Sequence, residues 1–391
     1  MYFTGQTTSF IGDGLRTLAI PLLVFHLTGS ALTLGVTYAL EYLPFALAGL
    51  AGGSLADRLD RRRLMSVCNV IRFVVLTVLV VAALRGFLSL ALIYAAIVII
   101  SVAAAIFMGG EASSIPFTVG KDKATQAVAT LIAGEQATNM VAPPIGGALF
   151  ALGGAVPALV VNAFTYLASL GAILSIPTLG PDRPGPLPSL GELVSDIRHG
   201  FRFLWADTVM RTITLMSLGL NLFGMMAMAI YIPFYKLALG ANDAQVGLTL
   251  GVIAIGTISG SLLAGVNAGK WPFGKAQCIA YAIDAIIFIP IIFLHNMWWV
   301  VLFWACSSAT AGFTAAQVVS WRMRIIPQES ISRVFGAVRL IVLIGVVPGT
   351  IVGGYLADHY FVRLPIIVST IGYALLASIV FTVPAVWRDR R

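Results

Sequence analysis

Charged side chains are scarce in this 391-residue sequence: Asp, Glu, Lys and Arg together make up 10% of it, against about a quarter in a soluble domain. That scarcity excludes a water-soluble fold of this length, because a soluble surface is built largely from those residues. Cysteine is almost absent. Cys68, Cys278 and Cys306 lie far apart in apolar stretches, so they specify neither a disulfide framework nor a zinc site and read as packing residues. The histidines, His26, His199, His295 and His359, are as widely dispersed, which supports no metal or nucleophile cluster. No phosphate-cradling glycine loop with a lysine occurs, so ATP is not the energy source. These absences predict a protein that is not an enzyme and that uses no cofactor and no metal. The first residues also lack a basic leader and a small-residue cleavage site, so the first apolar run reads as a retained helix rather than a signal peptide.

Apolar residues are what the sequence has in plenty, 59% of the total, arranged as run after run from end to end. A spanning helix needs about 20 apolar residues, and twelve such runs fit: roughly 4–27, 32–56, 65–84, 88–111, 125–150, 156–177, 211–237, 244–266, 276–295, 297–321, 331–357 and 364–386. The expectation is an all-α membrane protein. Lys and Arg number 24 against 16 Asp and Glu, an excess that in another setting suggests nucleic acid. Here the basic residues gather in alternate loops, and only Arg85, Lys236 and Arg363 fall in the opposite set. Basic loops stay inside, so both termini are expected in the cytoplasm, the partner is the lipid bilayer and nucleic acid is excluded. Residues 1–178 then form an N-terminal six-helix bundle, 179–208 a cytoplasmic linker, and 209–391 a C-terminal six-helix bundle. The linker starts with Gly180 to Pro188, too rich in proline for helix. It continues with Ser189 and Glu192 at capping-box spacing and with Leu190, Leu193, Ile197, Phe201, Leu204 and Trp205 at helical period, an amphipathic surface helix.

The most charged stretch, Gly52 to Arg63, sits between two apolar runs and reads as a tight turn at the cytoplasmic surface. Its Gly53, Asp57, Arg58, Arg61 and Arg62 resemble the signature loop between helices two and three of the major facilitator superfamily, with Asp60 where that family often has a second glycine. Gly353-Gly354-Tyr355-Leu356-Ala357-Asp358 echoes residues 52–57 at the end of helix eleven. Ala142-Pro143-Pro144-Ile145-Gly146-Gly147 resembles the helix-five antiporter motif of the same family, with Ala142 in place of its glycine. Gly12-Asp13, Asn69 with Arg72, and Arg333-Val334-Phe335-Gly336 are similar to the macrolide-efflux and enterobactin-exporter branch of proton-coupled antiporters. The resemblance covers essentially the whole chain. It implies two six-helix bundles with inverted three-helix repeats, alternating access, and gating by Gly53, Asp57, Arg58, Arg61, Arg62, Pro143, Gly146 and Gly147. Asp57 is expected to cap or pair at a cytoplasmic contact, with Arg58 and Arg61 holding nearby helix ends.

Acids inside a membrane are costly, at least ~2.5 kcal/mol at a helix centre unless paired or protonated. Asp13, Glu41, Glu135 and Asp284 stand out, with Asp13 and Glu135 near the midplane, whereas Glu111 falls at a helix end and is expected to face water. Asp13 and Arg16 are three apart on one helical face, so a purely structural pairing is available there. Glu135 has no basic residue within a turn, and Asn139 shares its face. Asp13, Glu41 and Glu135 are therefore the proton-coupling candidates. The helix-seven residues Asn221, Phe223, Met225, Met226, Tyr231 and Tyr235, with Asn139 and Asp284, suit a cavity that re-packs around varied ligands, although such a stripe also serves plain packing. The sequence thus reads as a monomeric secondary exporter of small amphipathic, multidrug or macrolide-like molecules in exchange for protons, in a bacterial inner membrane. The alternatives are a siderophore or metabolite exporter, which would want more basic residues in the cavity, and a non-transporting sensor or lipid-handling protein on the same fold.

Overall fold

The structure, a computed structural model, describes residues 2–176, 190–266, 272–327 and 330–383. At some helical positions, including 51–54 and 56–58, only the backbone is described. Every regular element among the described residues is helical, as expected where no water is present to satisfy an open backbone. In order they are α1 (Tyr2–Thr28), α2 (Ala31–Arg58), α3 (Arg61–Leu84), α4 (Leu90–Val119), α5 (Lys121–Gly153) and α6 (Ala155–Leu174), then α7 (Leu190–Ala206) and α8 (Thr208–Ala229). A single turn α9 (Tyr231–Pro233) and a π-helical turn (Phe234–Ala238) follow, then α10 (Asp243–Val266), α11 (Phe273–Phe293), α12 (Met297–Ile325), α13 (Ile331–His359) and α14 (Leu364–Thr382).

Among the described residues ten helices are long and apolar enough to cross a membrane. α14 is apolar over the shorter stretch Leu364–Ile379, and α5, with 33 residues, is diluted by Lys121, Asp122, Lys123, Gln126, Glu135, Gln136 and Asn139. With those two the spanning set matches the twelve runs. Sequence reasoning misplaced several ends. α4 continues about two turns past 111 to Val119, and Gly110 within it packs against Met65. The seventh run is broken at Ile230 and relaxes into a π turn after Pro233, whose ring removes one ladder donor. α7 is a helix in its own right and not an extension of α8: Asp207 stands between them and its side chain accepts from Met210 N. The linker 180–188 and the Ser189 capping box lie outside the described residues. Asp60 in the signature loop caps α3, accepting from Arg63 N at 3.2 Å, so this chain uses a carboxylate where a glycine would leave the donor open.

The chain divides into two compact units. The first comprises residues 1–28, 40–189 and 242–251, the second 29–39, 190–241 and 252–391. Each therefore takes in a segment from the other's stretch of sequence. In the first unit α1 packs along α5 and α6, and α3 along α4 and α6. Gly14 forms a notch for Ala142, whose Cβ lies 2.5 Å from where a Gly14 Cβ would stand. The alanine that replaces the motif glycine is accommodated there. Next to it Gly146 faces the Leu15 backbone, and Gly147 faces Gly247 of α10 so closely that a Cβ would lie 2.9 Å from Gly247 Cα.

In the second unit α13 runs along α8, α11 packs against α12 and α14, and α7 docks on α13 through Gly200. Leu204 of α7 is buried, whereas Arg198, Arg202 and Trp205 are exposed. Gly345, Gly349 and Gly353 recur every four residues, on one face of α13. A Cβ on each would stand 2.4 Å from the carbonyls of Leu218, Leu222 and Met226 of α8. Small residues are what allow two membrane helices to close to backbone contact. Gly354 meets the start of α2 in the same way, 2.4 Å from the Ala31 carbonyl. One turn on, Asp358 accepts from Ser30 Oγ at 2.5 Å, Ala31 N at 2.8 Å and Leu32 N at 3.0 Å. A carboxylate from α13 thus caps the start of α2, where unsatisfied N–H groups favour an anion. Asp358→Ala is expected to lower stability by about 1–2 kcal/mol and to speed hydrogen exchange at Ala31 and Leu32. Parental exchange at those two amides would deny the cap any weight.

Candidate functional site

In the first unit Gly12, Asp13 and Gly14 place one acid between two close helix contacts. A Cβ at Gly12 would lie 2.0 Å from Thr165 Oγ1 of α6, so glycine lets α1 approach α6 until Tyr166 OH donates to Asp13 Oδ1 at 2.5 Å. The same carboxylate meets two cations: Arg16 Nε at 3.9 Å and Arg72 Nη1 at 3.7 Å. Arg16 turns its outer nitrogen to Glu41 of α2 at 3.0 Å. Arg72 is held from behind by Asn69 Oδ1 at 2.9 Å, and Asn69 donates to Ser169 Oγ at 3.0 Å. Its guanidinium also lies over the rings of Phe107, at 4.4 Å, and Tyr166, at 4.7 Å, a desolvated setting that strengthens a cation–π contact. Asp13 and Glu41 are therefore members of one ion-paired network and not isolated carboxylates.

Glu111 corrects the sequence reading. It is 9% exposed, inside α4, and its Oε1 has no hydrogen-bond partner. Its charge lies within electrostatic range of Arg72, Glu135 and Asp13. Glu135 and Asn139 lie on an exposed face of α5, and among the described residues Glu135 makes no ion pair. The signal for Glu111 was the helical period, which continues unbroken through Ser114 and Thr118. Of the gating candidates, Gly53, Asp57 and Arg58 lie outside the described side chains. Arg61 is buried and donates to the Ser113 carbonyl at 2.8 Å, while Arg62 donates to the Leu174 carbonyl at the end of α6, where a cation suits the helix dipole.

The second unit encloses a cavity of about 380 Å³ between α8, α11, α12, α13 and α14, within the range of small-molecule sites. It brings together Asn221, Met225 and Asp284 from the sequence reading, and adds Tyr281, Thr310 and Arg322. Asp284 is 5% exposed and accepts from Thr310 Oγ1 at 3.0 Å. Arg322 is 4% exposed and donates to Thr214 Oγ1 at 3.1 Å. Sequence reasoning placed Arg322 in a loop, whereas α12 runs on to Ile325 and draws it inside. The other helix-seven residues pack instead of lining the cavity. Phe223 meets Tyr373 edge-on at 6.2 Å, Met226 is buried against α13, and Tyr231 and Tyr235 form a ring cluster with Phe234 and Trp304. The three cysteines are free, and no metal-binding group of His, Cys, Asp and Glu occurs among the described residues.

Comparison with known proteins places these features in context. A family model described as Major Facilitator Superfamily matches residues 2–350. The enterobactin exporter EntS of Escherichia coli O1:K1 / APEC is 26% identical over 303 residues, 76% of this chain and 70% of that protein. The multidrug efflux pump Tap of Mycobacterium bovis (strain BCG / Pasteur 1173P2) is 26% identical over 276 residues, 67% of this chain and 63% of that one. Among solved structures, the nucleoside transporter NupG superposes with a TM-score of 0.75 at 15% identity, covering 99% of this chain and 98% of the other. A bacterial homologue of the human lysosomal transporter Spinster gives 0.74 at 16% identity, with 99% and 95% covered.

Proposed function

Because this chain belongs to the major facilitator superfamily, we propose that it is a proton-driven exporter of small amphipathic molecules that works by alternating access, with both termini in the cytoplasm of a bacterial cell. One observation carries the proton half of this reading. Four acids of the first unit's spanning helices, Asp13, Glu41, Glu111 and Glu135, share their surroundings with two arginines, Arg16 and Arg72. Ion pairing can neutralise two of the four, and the others must bind protons or meet water in the transport cycle. The export half rests on the roles of the relatives, an enterobactin exporter and a multidrug efflux pump.

Glu135 and Glu111 are the exchangeable pair in this reading, and Asp13 is fixed by Arg16 and Arg72. A proton bound at Glu135 is displaced when a cationic substrate, or a change of access, makes the charged carboxylate favourable again. Coupling follows because the two occupants exclude each other. Glu135→Gln is expected to reduce substrate efflux from proteoliposomes under an imposed pH gradient to the level seen without a gradient, while neutral compounds still bind. Glu111→Gln should slow turnover without abolishing the gradient response. Full gradient-driven efflux by Glu135→Gln would move the coupling role to Glu111. A second reading, export of a siderophore or other anionic metabolite, is favoured by Arg322, since it puts a cation in the cavity wall.

A further inference from the structure

The cavity of the second unit contains two charged residues of opposite sign that do not pair. Asp284 and Arg322 are both at least nine-tenths buried and line the same space, yet among the described residues no ion pair joins them. Each is held by neutral hydroxyls, Asp284 by Thr310 and Arg322 by Thr214. Two donors remain over: Arg322 Nε and Tyr281 OH are buried with no hydrogen-bond partner. Thr310 and Arg322 are separated on α12 by about 18 Å of helix axis, so the acidic and basic poles stand at different depths. Between them the wall is mostly apolar, with Leu220, Met225, Val318 and Val342. A buried charge without a partner is expensive, and a ligand that supplies both partners removes both penalties at once.

The geometry points to an amphoteric binding subsite: Asp284 receives a protonated amine, Arg322 with Tyr281 receives a carboxylate or similarly acidic group of the same molecule, and the apolar wall holds the ring system between them. This inference rests on the exporter reading and narrows its substrate to zwitterions with separated poles. A cation alone leaves Arg322 unmatched, and an anion alone leaves Asp284 unmatched.

The test uses the full chain in lipid nanodiscs and three fluorescent probes on one scaffold. These are norfloxacin, with amine and carboxylate at opposite ends, its ethyl ester, with the amine only, and N-acetylnorfloxacin, with the carboxylate only. The parent should bind norfloxacin about tenfold or more tighter than either derivative. Asp284→Asn should erase the advantage over the N-acetyl form, and Arg322→Gln the advantage over the ester. Asp284→Glu and Arg322→Lys should keep the ranking, and melting temperatures identify any variant that fails to fold. Equal binding of all three probes by the parent, binding of none, or loss of all binding in both folded charge-removing variants would overturn the subsite. Gradient-driven efflux is measured separately. The ranked binding without efflux would sink the exporter reading and leave the subsite standing.

Discussion

Purified Asp13→Asn protein should unfold well below the parent's midpoint, with a loss of about 3–5 kcal/mol for breaking a buried ion pair from one side. The half-open setting of Asp13, whose side chain is 31% exposed, puts the expected loss at the lower end of that range. The reason is what remains behind. Arg72 is 3% exposed on its side chain and would keep Asn69, two ring faces and the more distant charge of Glu111. Tyr166 would exchange a carboxylate acceptor for a neutral amide oxygen, a weaker hydrogen bond. Arg16 suffers less, since Glu41 stays within 3.0 Å. The asymmetry gives a control. Arg72→Met added to Asp13→Asn should recover part of the loss, because replacing both partners of a buried pair costs less than removing one. If Asp13→Asn melts with the parent, Asp13 is not an anchor, and it returns to the coupling candidates.

Gly349→Val is expected to act on assembly instead of transport. Gly349 is the middle one of three glycines that touch α8, and a Cβ there would stand 2.4 Å from the Leu222 carbonyl and 3.2 Å from Leu222 Cα. Backbone cannot swing aside as a side chain does, so α13 and α8 must separate along their whole contact. Overpacking a tight interior costs about 1–3 kcal/mol for small additions. A branched side chain against backbone belongs at or above the top of that range. A monodisperse peak in detergent should be lost or strongly reduced, as read by size-exclusion of a fluorescent fusion. Gly171 is the matched control, since a Cβ there meets nothing within 4 Å, and Gly171→Val should behave as the parent. A normal profile for Gly349→Val would mean that the α8–α13 contact carries little of the unit's stability.

The helical architecture was legible because a bilayer demands it: length and hydropathy alone place a spanning helix, and α10, Asp243–Val266, begins one residue from its expected start. The ends were the weak point, and the misplacements of Glu111 and Arg322 are both end errors. Hydropathy and length put Glu111 at a helix terminus, whereas α4 runs on to Val119 and Gly110, one residue before Glu111, admits Met65, 2.8 Å from its missing Cβ. Hydropathy ends the run of α12 at 321 and leaves Arg322 in the loop, because charge in a sequence suggests water. Its partner, Thr214, is 108 positions away, and no local pattern points to it. The aromatic stripe of helix seven is a different case. Periodicity says which residues share a face but not whether the face meets a cavity or another ring, and Tyr231 and Tyr235 meet Trp304.

The segments that each unit takes from the other's stretch of sequence bear on how such a gene can change. Ser30, Ala31 and Leu32 are served by Asp358, Gly35 lies against the Thr350 carbonyl, and Gly147 against Gly247. Positions separated by a hundred codons or more are thereby tied into matched sets. A recombinant that joins the first half of this sequence to the second half of a distant relative would inherit each set half-complete. Its surviving descendants should be those that restored the small residue, or the carboxylate, on the newly acquired side.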